Sequence, residues 1–108
     1  MDKHQCYKNA IDHMLMNKGC TLVHAIVTGQ GPIEGIKYGH AWIEKGGDAY
    51  DPNIELTMPA KLYRKIGQAK NIKEYTHAQM KEQINQFNHY GPWDETISDA
   101  IHLDKELA

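Results

Sequence analysis

The chain has 108 residues, 41% of them hydrophobic and 24% charged, with a net charge of −2. That length suits one small domain, 1–108, with a modest core, and no apolar run approaches the roughly 18 residues of a membrane span, so no membrane partner is expected. A slightly acidic chain with a single arginine, Arg64, is also a poor nucleic-acid binder, because guanidinium forks are the favoured readers of phosphates and base edges.

The opening Met-Asp-Lys-His lacks the apolar segment of a secretory signal, so a cytoplasmic chain is expected. The two cysteines, Cys6 and Cys20, are then expected as free thiols. Two thiolates cannot build an all-cysteine zinc site, and the seven histidines are scattered without H-x3-H or HExxH spacing. The expectation is therefore no metal and no cofactor.

Residues 3–17 carry Tyr7, Ile11, Met14 and Leu15 on one helical stripe. Asp2 and Gln5 have capping-box spacing, and Gly19 suits a left-handed C-terminal cap. Cys6 falls in the first turn, beside the stripe. Residues 20–27 are nearly continuous apolar sequence with β-branched side chains, the pattern of a central strand covered on both faces. A glycine-rich loop follows over residues 28–35, either a plain connection or a lid over a site. Residues 36–45 alternate as a second strand, with Tyr38, His40, Trp42 and Glu44 on one face and Ala41 and Ile43 on the other. Glu44 is expected in solvent near the turn.

Lys45-Gly46-Gly47-Asp48 predicts a tight hairpin turn, and residues 48–51 a return strand stopped by Pro52. Thr57 is placed to cap a helix with Pro59 in its first turn, Leu62 and Ile66 as its apolar pair, and Gly67 after it. Residues 72–75 read as a short edge strand. Thr76 and Gln79 form a capping box for a helix carrying Met80, Ile84 and Phe87. After a turn at residues 89–93, Ile97, Ala100 and Ile101 mark a last helix that frays toward the end. The fold expected is α+β: an N-terminal helix packed on a small antiparallel sheet, with C-terminal helices. Residues 57–73 are basic and 94–106 acidic, either two solvated faces or a docking surface for a charged partner.

The hairpin brings His40 and Asp51 side by side. A carboxylate there fixes the imidazole tautomer and stabilises the imidazolium. A thiol near a helix start, facing that imidazole, completes a nucleophilic set, because thiolate is the reactive form and a helix N-terminus and His⁺ both favour it. The residues assigned to it are Cys6 as nucleophile, His40 as acid and base, and Asp51 as orienting carboxylate. Asn53 is an alternative orienter for the histidine. An oxyanion hole is sought in the backbone N–H of Cys6 or Tyr7 and in the Gln5 side chain. Tyr7 and Trp42 are expected at the pocket wall, Trp42 otherwise in the core. Cys20 is expected buried, and is the alternative nucleophile if Cys6 is structural. His24 is expected as a satisfied core histidine.

Gln5-Cys6-Tyr7-Lys8-Asn9-Ala10 resembles the cysteine motif of papain-like and transglutaminase-like enzymes, in which an aromatic follows the nucleophile at a helix start. His40-Ala41-Trp42-Ile43-Glu44 with Tyr50-Asp51-Pro52 is similar to the transglutaminase-core pattern H-x-W-x-E followed by D-P. The resemblance covers roughly residues 4–53 and implies a Cys6–His40–Asp51 triad on a minimal papain-like or transglutaminase-like core. The cysteine-to-histidine spacing is short for that family, and Tyr7 stands where a Trp is usual.

The function expected is cysteine-dependent acyl transfer on an amide or ester carbonyl through a thioester. Water as acceptor makes the chain a protease, amidase or deamidase, and an amine makes it a transglutaminase. Its partner would be a protein or peptide substrate, or another amide or ester. A second reading is a non-catalytic binder: short lysine-rich frames of this kind resemble phage or mobile-element accessory proteins that inhibit a host protein by contact, in the host cytoplasm. A third is a metal-dependent enzyme using His24, His40 and Cys20.

Overall fold

Two adjacent glycines organise the sheet. Gly46 and Gly47 both have positive φ, 59° and 86°, the mirror-image turn whose twist matches that of two flanking strands. They join β2 (Lys37–Lys45) to β3 (Asp48–Asp51) with Lys45 opposite Asp48. The computed structural model describes residues 6–100. Within them lie α1 (Cys6–Met16), β1 (Thr21–Thr28), the hairpin, β4 (Leu56–Pro59), α2 (Ala60–Ile66), β5 (Lys70–Tyr75), α3 (His77–Phe87) and α4 (Glu95–Ser98). The five strands form one antiparallel sheet in the order β4-β3-β2-β1-β5. The architecture is α+β, with the N-terminal helix packed on the sheet as its residue pattern predicts.

Alternation along β1 and β2 divides the core into two layers. One layer packs Leu22, Ala41 and Ile43 against Ala10, Ile11 and Met14 of α1, Met80 of α3, and Trp93. The other packs Val23, Ala25, Val27, Trp42 and Ala49 beneath Ala60 and Tyr63 of α2. Strand β1 is central and covered on both faces, which explains its unbroken apolar sequence. Cys20, just before it, is a buried free thiol in the α1 layer.

Several local expectations hold in detail. Gly19 takes φ +83° after α1, and Thr76 and Gln79 make both bonds of a capping box at the start of α3. The structure corrects others. Leu15 is 55% exposed while Ala10 is buried. At 100° per residue, Leu15 sits roughly 80° from Tyr7 around the helix, off the packed face. Residues 56–59, read as a helix cap, instead form the edge strand β4, with Thr57 opposite Tyr50 and Pro59 opposite Asp48. An edge position tolerates a proline that cannot donate to a ladder, and a four-residue, mostly exposed strand shows no alternation to read. The helix after it begins at Ala60, so Ala60 and Tyr63 face the sheet while Leu62 and Ile66 are each 46% exposed.

Glu44 is not in open solvent. Its side chain is 15% exposed and accepts from Arg64 Nε and Nη2, both at 2.8 Å, and from Trp42 Nε1 at 2.9 Å. The single arginine is therefore spent on a bidentate carboxylate clamp between β2 and α2. The Asp2–Gln5 cap and the Ile101 end of the last helix lie outside the described residues. Among the described residues no helix is long and apolar enough to cross a membrane.

Candidate active site

The register that pairs Ile43 with Tyr50, continued by one residue, sets Asp51 beside Trp42 and two positions from His40 on the same face. From there Asp51 Oδ2 lies 2.8 Å from His40 Nε2. Asp51 is 3% exposed, and its two oxygens are held by three groups. The Tyr63 hydroxyl donates to Oδ2 at 2.6 Å, and the Asn53 backbone N–H donates to Oδ1 at 3.0 Å. Burial works against the Asp51 charge, but the hydrogen bond and charge of His40, with the Tyr63 and Asn53 donors, more than offset it. Its pKa lies below the ordinary carboxylate value.

Cys6 is the first described residue of α1 and lines the same cavity as His40, close enough for its charge to act on the ring. Nε2 faces Asp51, so Nδ1 is the ring nitrogen that this carboxylate does not engage. Burial disfavours the imidazolium, yet hydrogen bonds and negative charge from Asp51 and Cys6 outweigh it and lift the His40 pKa well above 6.5. The three residues singled out for chemistry thus line one cavity, Cys6 from α1 and His40 and Asp51 from the β2–β3 hairpin. The arrangement can hold a sulfur nucleophile against a protonated imidazole, and so can supply both attack and a proton for a leaving group.

Tyr63 is the site residue that sequence reasoning missed. Its hydroxyl is 3.2 Å from His40 Nε2 as well as bonded to Asp51, and its ring packs 5.0 Å from Trp42. Burial, then the Asp51 charge, raises its pKa, so it stays a donor. The available signal was its i, i+3 spacing from Ala60, visible only once the helix start is known.

Asn53 does not reach the histidine with its side chain. Its Oδ1 accepts from Asn9 Nδ2 at 2.7 Å and so ties α1 to the end of β3. Trp42 is fully buried and stacks behind His40, with ring centroids 5.9 Å apart, and does not line the cavity beside Cys6. Tyr7 does line the cavity next to Cys6. Gln5 lies outside the described residues.

That cavity has a volume of about 500 Å³ and opens beside Cys6 and His40. The loop after β1 forms part of its wall through Ile33, in a 3-10 turn over Gly31–Ile33. Gln30 pins this loop to α2, donating from Nε2 to the Ile66 carbonyl at 3.1 Å.

His24 and His40 lie on opposite faces of the sheet, since His24 pairs in register with Ala41. His24 sits among Tyr7, Tyr75 and Trp93, at ring-centroid distances of 4.9, 5.2 and 5.0 Å. Neither of its nitrogens has a hydrogen-bond partner among the described residues, contrary to the satisfied core histidine expected. Burial, then the charge of His40, lowers its pKa to about 3. Among the described residues no three His, Cys, Asp or Glu side chains are grouped to hold a metal ion, so His24, His40 and Cys20 do not form a metal-ligand set.

Comparison with protein-family models, with curated proteins and with solved structures finds no match for this chain.

Proposed function

We propose that the chain is a cysteine-dependent acyl-transfer enzyme acting on an amide or ester carbonyl of a protein, peptide or smaller substrate. The observation that carries this reading is Cys6 and His40 lining one cavity, with His40 Nε2 2.8 Å from Asp51 Oδ2. In the acylation step the Cys6 sulfur attacks the carbonyl carbon, and its charge passes to the carbonyl oxygen. The backbone N–H groups nearest the sulfur, those of Cys6 and Tyr7, are the donors assigned to that oxygen. The tetrahedral adduct collapses to a thioester. The leaving amine or alcohol departs with a proton from His40, which Asp51 keeps in place throughout. His40, now neutral, then takes a proton from an incoming water or amine. That acceptor attacks the thioester, and Cys6 leaves as thiolate beside a reprotonated His40. Water gives a hydrolase and an amine gives a transferase. A reduced, cytoplasmic setting suits a free Cys6, and for a phage-encoded chain that is the host cytoplasm.

The test is alkylation by iodoacetamide across pH, read by intact mass and peptide mapping. Cys6 is expected to label rapidly near neutral pH, and to lose that rate in His40→Ala, while buried Cys20 stays slow. Labelling of Cys6 no faster than a model thiol sinks the enzyme reading and favours a protein that acts by contact alone.

A further inference from the structure

The cavity beside Cys6 has walls of an unusual kind for a site that would handle polar side chains. Val27, Ile33, Ile54, Leu56, Met58 and Ile66 are six of its seventeen described lining residues. Among the described residues no lysine, arginine or glutamate lines it. The ionised groups within reach already serve one another: Asp51 is taken by His40, Tyr63 and Asn53, and His40 by Asp51 and Cys6. Two polar side chains at the wall each have one end engaged, while the Thr28 and Tyr38 hydroxyls add two more polar groups. The Gln30 amide N–H donates to the Ile66 carbonyl, and the Asn53 carbonyl oxygen accepts from Asn9.

Among the described residues a charged group leaving water for such a cavity finds no unpaired opposite charge, which is costly, and a carboxamide finds only a few hydroxyl and amide groups. An apolar group gains from the same move. The mouth carries the same bias. Ile54 is 61% exposed, Leu56 37% and Ile66 46%, three large apolar side chains that a ligand reaching Cys6 would cover. A volume of about 500 Å³ lies in the range of specific small-ligand clefts, larger than one methyl or carboxamide group needs.

We propose that this cavity binds an uncharged, apolar group of the acyl donor, an aliphatic or aromatic side chain next to the carbonyl that Cys6 attacks, in preference to a charged or carboxamide side chain. The proposal rests on Cys6 being the nucleophile. It makes a glutamine side chain a poor flanking group, and so narrows the enzyme to carbonyls flanked by apolar residues.

The experiment uses the full chain with p-nitrophenyl esters of N-acetyl-leucine, phenylalanine, glutamine, glutamate and lysine. Rates of p-nitrophenol release and of Cys6 acylation by intact mass are each normalised to the rate of that ester with free cysteine. The leucine and phenylalanine esters are expected to acylate Cys6 on the order of 10- to 100-fold faster than the glutamate and lysine esters, with glutamine slow. Leu56→Lys and Ile54→Lys, both at partly exposed wall positions and checked for folding by circular dichroism, should each shift the preference toward the glutamate ester. Equal normalised rates across the panel, or glutamine fastest, with Cys6 still acylated, overturn the apolar pocket and leave the nucleophile standing. No acylation by any ester, together with slow iodoacetamide labelling, removes the nucleophile and the pocket proposal with it.

Discussion

Tyr63 donates its hydroxyl to the Asp51 oxygen that faces His40, at 2.6 Å, so one carboxylate oxygen is shared between a helix α2 donor and a β2 imidazole. The shared oxygen cannot swing without breaking both bonds. In Tyr63→Phe the ring keeps its packing against Trp42, and only the donor is lost. Asp51 should then titrate at higher pH, which carboxyl NMR would show directly, because the Tyr63 bond favours its anion. Cys6 alkylation should slow by roughly tenfold at most, the equivalent of one hydrogen bond. An unchanged Asp51 titration would show that Tyr63 plays no part in holding the carboxylate.

His40 should remain an imidazolium far above the ordinary histidine range. Its pKa is raised from 6.5 to about 10 by Asp51 and Cys6 against the pull of burial. Both Asp51→Asn and Cys6→Ala are expected to lower the midpoint seen by imidazole NMR. Because the folded pKa is the higher one, this ion pair contributes stability that is complete below pH 6.5. That contribution fades as pH rises from there through about 10. A wild-type midpoint near 6.5 would contradict the pairing.

His24 predicts the opposite dependence. Its folded pKa is about 3 against 6.5, because it is buried among Tyr7, Tyr75 and Trp93 and near the His40 charge. The unfolded chain binds the proton first, so stability is full above pH 6.5 and falls as pH drops toward 3. One group can contribute a slope of up to about 1.4 kcal/mol per pH unit. His24→Leu removes two unsatisfied buried nitrogens and should cost under about 1.5 kcal/mol at pH 7. Relative to wild type it should gain steadily through that acidic window in denaturant titrations. Parallel pH profiles for the two proteins would rule this out.

The Glu44–Arg64 clamp should matter more than a surface ion pair. Glu44 accepts two bonds from the guanidinium and one from the indole of Trp42, and is 15% exposed. Arg64→Lys keeps the charge but cannot supply both bonds. It is expected to cost about 1–2 kcal/mol in urea unfolding, and Glu44→Ala about 2–3 kcal/mol, since that change also strands the buried Trp42 N–H. Neither should change the His40 titration, which separates this clamp from the bonds joining His40, Asp51 and Tyr63.

Much of the site was legible because its parts obey short-range rules. Two glycines dictate the hairpin, and alternation puts His40 and Trp42 on one face. The turn's register then brings Asp51 within bonding distance of His40 without reference to any distant segment. A period of 3.6 residues likewise put Ile11 and Met14 on the sheet, with Cys6 about one turn before Ala10.

The tertiary structure alone decided the rest. Whether the thiol reaches the imidazole depends on how α1 lies across the sheet. That placement is a sum of packing contacts from Leu22 to Met80 that no local pattern encodes. The short strand β4 forms only because β3 offers it an open edge. Its presence moves the start of α2 to Ala60, and Tyr63 then meets Asp51. The same long-range docking carries Glu44 to Arg64, closes an aromatic cage on His24, and assembles a cavity wall from Val27, Ile33, Leu56 and Ile66. Such neighbours are chosen by three-dimensional close packing, whereas strand alternation and turn chemistry are chosen by bonds a few residues apart.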